Sequence, residues 1–189
     1  MLRLLATFFL LGIACLGSAE PSEKYLVDFI LFENKSLLED AAEQSLIPPI
    51  LLSSSTSIPL ALGDYAAQPD YRNLSISQSE LRNTYAALNR SEDYQVLARY
   101  TWQQPTDGNK PIDLPPITRD NWHIKGRISL KPGRFPFLNT NLLISNDHQT
   151  IALRHNQALM VKQTYYLDHP IFGMIIRVTP VKPPESETT

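Results

Sequence analysis

The clearest pattern in the chain is a strict alternation from Asn121 to Leu130. Trp122, Ile124, Gly126, Ile128 and Leu130 fall on one side, and His123, Lys125, Arg127 and Ser129 on the other. A period of two predicts a strand with one buried face and one polar face. Tyr94–Trp102 alternates too, placing Tyr94, Val96, Ala98, Tyr100 and Trp102 on a common side. Lys131-Pro-Gly-Arg134 reads as a hairpin turn of type II, and Phe135–Ile144 as the returning strand. Ser145–Gln149 is a further polar turn, followed by candidate strands at Thr150–Arg154, Leu159–Tyr166 and Ile171–Val178. Tyr25–Phe32 is a short run of aliphatic and aromatic residues broken only by Asp28, which predicts a mostly buried strand.

Helical spacing occurs at Ser77–Arg90, where Leu81, Tyr85 and Leu88 recur at i, i+4 and i+7. Ser77 and Glu80 have the spacing of a capping box, as do Ser36 and Glu39 ahead of a short helix reaching about Gln44. Gln103–Pro116 reads as a connection, and 47–71, with Pro48, Pro49, Pro59, Pro69 and the run Ser53–Ser57, as a long Pro/Ser-rich arm. The expected fold is α+β. One predominantly antiparallel sheet of about five to seven strands carries one main amphipathic helix.

The most apolar stretch is different in kind. Arg3 precedes an apolar run from Leu4 to about Leu16, and Gly17 and Ala19 occupy the −3 and −1 positions of a cleavage site before Glu20. This is the layout of an export signal over residues 1–19. The run is too short for the ~20 residues that span a bilayer. Cys15 is the only cysteine of the 189 residues. It either leaves with the signal or, if cleavage falls before it, carries a lipid. The domain proper is then 20–180, and 181–189 is a polar tail with little apolar area to bury. With residues 1–19 removed the chain contains no thiol, which excludes disulfides and cysteine chemistry.

Charge changes the picture further. Residues 20–98 hold 5 Lys/Arg against 12 Asp/Glu, whereas residues 99–177 hold 10 against 5. The densest basic stretch is Arg119–Arg134. Opposite halves of one fold could neutralise each other, or the second half could present a basic face to an anionic partner.

No enzyme signature accompanies this. The histidines at 123, 148, 155 and 169 lack the spacing of a metal site, and no nucleophile elbow, phosphate loop or dinucleotide fingerprint is present. No cofactor or catalytic residue is assigned. The candidate ligand-binding residues are His123, Lys125, Arg127, Lys131 and Arg134, whose cations suit carboxylates. The same alternation also describes an ordinary solvated sheet face. Trp102 and Trp122 are the aromatic residues that could stack on sugars, although both fall on apolar sides.

The block Tyr165-Tyr-Leu-Asp-His-Pro-Ile-Phe-Gly-Met-Ile-Ile-Arg-Val-Thr-Pro180 resembles the closing signature of the CsiV family. Tyr25–Glu33, Tyr94–Pro105 and Gly126–Leu138 resemble further blocks of that family in the same order. The segment Ala158-Leu-Met-Val-Lys162 departs from it, because the family pattern often has adjacent arginines there. The resemblance implies a non-enzymatic periplasmic protein of Gram-negative bacteria that binds peptidoglycan. It would promote wall synthesis through an outer-membrane lipoprotein activator and a penicillin-binding protein. Asp168, His169, Pro170, Phe172 and Gly173 are the motif residues carried over, and their expected role is a tight turn that sets the register of the last strand. The alternative is a protein-only periplasmic module that never touches the glycan.

Overall fold

The computed structural model describes residues 23–37, 57–62 and 69–181. The export segment 1–19, the polar tail beyond 181, the expected helix after Leu37 and most of the 47–71 arm lie outside the described residues.

The described residues form eleven strands: β1 (Lys24–Asn34), β2 (Ile58–Pro59), β3 (Ala61–Leu62), β4 (Arg72–Asn73), β5 (Tyr94–Pro105), β6 (Ile112–Arg119), β7 (Trp122–Lys131), β8 (Phe137–Ser145), β9 (Thr150–Ala158), β10 (Thr164–Asp168) and β11 (Phe172–Val181). Among the described residues one α-helix, α1 (Arg82–Arg90), accompanies them, with short 3-10 turns at Lys35–Leu37, Pro69–Tyr71 and Ile76–Gln78. The strands do not form the single sheet expected. They form a four-stranded sheet in the order β10-β11-β1-β5 and a five-stranded sheet in the order β2-β6-β7-β8-β9, with β3 and β4 as a separate pair. The long ladders are antiparallel, and the short β2–β6 and β3–β4 pairs are parallel. The α+β reading is compatible with this arrangement. A period of two says that a strand has an apolar face, but not which other strand shares its sheet.

One core lies between the two sheets. It joins Val27, Phe29 and Leu31 of β1, Tyr100 and Trp102 of β5 and Phe172, Met174, Ile176 and Val178 of β11 to Ile124, Ile128 and Leu130 of β7 and Leu138, Leu142 and Ile144 of β8. A second, smaller cluster lies on the far side of the four-stranded sheet. There Leu81, Tyr85 and Leu88 of the helical segment meet Ile30, Phe32, Val96 and Ile175. The i, i+4, i+7 stripe therefore packs as its spacing predicts.

The alternation predicted for β5 breaks at Leu97. Leu31 pairs with Ala98 and Phe32 with Val96, so Leu97 is the extra residue of a β-bulge. Tyr94 and Val96 consequently face the helix, while Ala98, Tyr100 and Trp102 face the main core. A bulge inserts one residue and reverses the sides that an uninterrupted count assigns.

Other local expectations also shift. α1 begins at Arg82 after Leu81, which makes no side-chain cap, so the Ser77/Glu80 capping box does not form. The Glu80 N–H donates instead to Asp28 Oδ2 at 3.1 Å. The segment read as a connection contains strand β6, whose prolines Pro115 and Pro116 sit at a register shift between Leu114 and Ile117. Proline lacks the donor a regular ladder needs, so a bulge accommodates the pair. β6 and β7 are joined by Asp120 and Asn121, both at positive φ (46° and 44°), as a two-residue hairpin of type I′ requires. The β7–β8 turn is wider than the type II turn expected: its last pair is Lys131 with Phe137, and Gly133 does not take positive φ. β10 begins at Thr164, after a turn in which Lys162 adopts a φ of 65°.

Gly126 is required by close approach. A Cβ there would sit 2.4 Å from the Asn141 carbonyl oxygen and 2.7 Å from Leu142 Cα, both backbone atoms that cannot rotate away. Gly126→Ala is expected to lower stability by about 3 kcal/mol through overpacking. Gly133→Ala, whose Cβ would come no closer than 3.4 Å to another atom, should stay within about 0.5 kcal/mol. Urea midpoints of the two variants check the difference, and equal midpoints would remove the role given to Gly126.

Candidate functional site

The polar side of β7 faces outward from the five-stranded sheet, opposite the core. Register assigns its neighbours in rows. His123 pairs with Thr118 of β6 and Ser145 of β8, and Ser145 with Thr150 of β9. Lys125 pairs with Leu143, and Leu143 with Ala152. Arg127 lies between Asp113 and Asn141, and Asn141 pairs with Arg154. Ser129 pairs with Asn139 and Asn139 with Asn156, whose amides are linked at 2.5 Å. Lys125 and Arg154 are exposed, and among the described residues no element packs over this face. The result is a flat field of two exposed cations, a half-buried arginine, amides and hydroxyls.

Some of the predicted residues are engaged locally. Arg127 Nε lies 3.1 Å from Asp113 Oδ1 and is half-buried, and Asp113 also accepts a hydrogen bond from Ser57. His123 Nδ1 and Thr118 Oγ1 are 2.9 Å apart. The ion pairs Lys24–Asp70 and Arg127–Asp113 each join residues of the same half of the chain. Neither therefore neutralises one half against the other. Sequence reasoning missed Arg154, Asn139, Asn141 and Asn156. The alternation of β8 and β9 could have found them, since they share the side of β7 that carries Lys125.

The structure does not bring all five predicted residues together. His123 and Lys131 are at opposite ends of β7, roughly 26 Å apart at strand rise. Lys131 is exposed beside Phe137, and Arg134 lies in the β7–β8 loop with its guanidinium 5.4 Å from the Phe135 ring centroid. The tryptophans are not available as stacking surfaces. Trp102 is fully buried and donates to Gln104 Oε1 at 2.9 Å, while Trp122 is 5% exposed.

The motif residues occupy the β10–β11 turn. Asp168 pairs with Gly173, and the Ile171 N–H donates to His169 Nδ1 at 3.2 Å. Burial pushes the His169 ring below the usual histidine range, against the pull of Asp168. His169 stacks on Phe172 (5.8 Å), and Phe172 meets Trp122 edge-on (5.1 Å). Trp122 Nε1 in turn donates to Glu33 Oε1 at 2.7 Å, in the buried space between the sheets. The Asn34 N–H donates to the Ile171 carbonyl at 2.8 Å. Gly173 is covered by Phe32, whose ring would lie 2.2 Å from any Cβ added there. Tyr166 stacks on the same Phe32, remains 58% exposed and donates to Asp168 Oδ1. Burial and the neighbouring carboxylate push the Tyr166 hydroxyl up to about 12.

A family model described as "Peptidoglycan-binding protein, CsiV" matches residues 3–181. The chain belongs to the CsiV family. The match spans nearly the whole sequence, so both sheets and the β10–β11 turn are parts of the CsiV domain. No curated protein and no solved structure gives a match. No helix among the described residues is long and apolar enough to cross a membrane.

Burial raises the Glu33 carboxyl above its ordinary value of 4.5, although the Trp122 hydrogen bond and Lys35 oppose the shift. A carboxyl raised in the folded state binds its proton more tightly there than in the unfolded chain. Its contribution to stability is present below the ordinary glutamate pKa and lost as pH rises through the folded value. Glu33→Gln keeps an oxygen acceptor for Trp122 and removes the titration. The variant is therefore expected to gain stability relative to the parent as pH rises from weakly acidic to neutral. Urea midpoints of both proteins at pH 4 and pH 8 check this, and a constant difference between them would refute it.

Proposed function

We propose that this CsiV-family protein is a non-enzymatic periplasmic adaptor that binds peptidoglycan through the outer face of its five-stranded sheet. The observation that carries the reading is the field of Lys125, Arg127, Arg154, Asn139, Asn141 and Asn156 on a sheet face that no described element covers. Stem peptides of the wall present carboxylates for the cations. The N-acetyl groups and hydroxyls of the glycan match the amides and hydroxyls. An open surface suits a polymer, because an extended strand crosses several rows at once. His123 extends the field at one end. The adaptor role promotes wall synthesis by bringing an outer-membrane lipoprotein activator and its penicillin-binding protein to the bound wall. The export pattern of residues 1–19 and the family's peptidoglycan-binding character support a periplasmic location.

The test is co-sedimentation of the protein lacking residues 1–19 with purified sacculi. It is expected to pellet at low salt and to release as ionic strength rises, because the contacts are exposed and screened. The double variant Lys125→Glu/Arg154→Glu is expected to lose roughly tenfold in affinity, about 1.4 kcal/mol, with an unchanged urea midpoint. Failure of the parent to pellet at low salt, with capture of the activator or synthase retained, would replace this reading with the protein-only module.

A further inference from the structure

Two turns meet at the end of the five-stranded sheet away from His123. The β7–β8 loop spans residues 132–136, and residues 159–163 lead from β9 to β10. Phe137 pairs with Ala158, and the Leu159 N–H donates to the Pro136 carbonyl at 2.8 Å, which holds the two turns side by side. Phe135, Phe137 and Met160 project from this end and are 47%, 41% and 48% exposed. They are three of the five large hydrophobic side chains that the described residues leave exposed. Scattered exposed hydrophobics need no account, but a cluster at one end of a fold does.

The charged side chains of the two turns have one sign. Lys131, Arg134 and Lys162 flank it and are exposed. No carboxylate among the described residues pairs with any of the three. The sequence contains no Asp or Glu between Asp120 and Asp147, and none between Asp147 and Asp168. The Arg134 guanidinium lies against the Phe135 ring, so the cation and the aromatic side chain occupy the same tip. Lys162 is held at positive φ, and its N–H donates to the Val178 carbonyl at 2.7 Å. Its turn is therefore anchored to the four-stranded sheet.

We propose that this end of the molecule is a membrane-contact site that docks on a bilayer containing anionic phospholipids. Phe135, Phe137 and Met160 enter the interfacial layer, and Lys131, Arg134 and Lys162 meet the headgroup phosphates. Exposed apolar side chains ringed by cations match the layered chemistry of a bilayer surface, apolar within and anionic at its boundary. The surface is made of turn tips, which can enter a fluid interface without a matching concavity. Turns that carry only positive charge favour anionic lipid over a protein interface, where opposite charges are usually interleaved. The proposal is separate from wall binding, because Phe135 and Met160 lie in turns beyond the last row of the field, Ser129, Asn139 and Asn156.

The test is flotation of the protein lacking residues 1–19 with vesicles of phosphatidylethanolamine and phosphatidylglycerol, compared with phosphatidylcholine alone. Binding is expected to the anionic vesicles only and to fall in 0.5 M salt. Phe135→Ser/Met160→Ser should lower the partition coefficient roughly tenfold, and Lys131→Glu/Arg134→Glu should abolish binding. The serine variant should pellet with sacculi as the parent does, which separates failure here from failure of the wall-binding reading. No flotation of the parent, or equal flotation of the serine variant, would overturn the proposal. Self-association of the parent that the serine variant abolishes, without vesicle binding, would overturn it in favour of an interface between copies of the chain.

Discussion

The structure depends on one constraint: β1 is buried on both faces from Leu26 to Glu33. Its inward side chains Val27, Phe29 and Leu31 build the core shared by the two sheets, and Ile30 and Phe32 on the other side require a cover. That cover is the stripe of Leu81, Tyr85 and Leu88. A strand with two apolar faces cannot lie in a sheet that has one side open to water. The third layer is therefore a consequence of eight residues of sequence.

Double burial also takes two carboxyl groups out of water, and each is matched by donors. Asp28 accepts from Thr101 Oγ1 at 2.8 Å and from the Glu80 N–H, so a buried acid on the sheet takes up a backbone donor just ahead of α1. Burial nevertheless raises its carboxyl above the ordinary range, with the hydrogen bonds opposing. Glu33 is held by Trp122 and so ties the four-stranded sheet to the first residue of β7. The Phe172–Trp122 contact beside it connects the family-motif turn to the same junction. Asp168 to Gly173 thus has a structural account: it closes the β10–β11 hairpin, supplies the aromatic residue that packs on Trp122, and leaves room for Phe32.

This division leaves the two sheets with different outer faces. The four-stranded sheet is partly covered by α1, and its far edge carries Tyr166. The five-stranded sheet has no helix over it among the described residues, and it bears the cations of the basic second half. Legibility followed the same division. The alternation of β7 identified Lys125 and Arg127 as outward-facing residues, and register then added Arg154 and the asparagines from β8 and β9. Lys131 and Arg134 were grouped with them by closeness in sequence. Lys131 lies four residues beyond Arg127, about 13 Å along the strand, and Arg134 is in the loop that follows.

By itself, the sequence determined most of the long strands, the apolar face of β7, the amphipathic stripe that packs as a helix and which family the chain resembles. These follow from local periodicity and motif, which need no partner. Only the tertiary structure decided that the strands divide into two sheets, that Leu97 reverses the sides of β5, that Pro115 and Pro116 lie within a strand, and that α1 starts at Arg82 beside Asp28. Each of those outcomes turns on a contact between residues far apart in the chain. A bulge depends on the neighbouring strand, and the donors ahead of a helix bond to the strongest acceptor the fold brings near. The basic residues were visible from the start, but which of them share a surface was a matter of register.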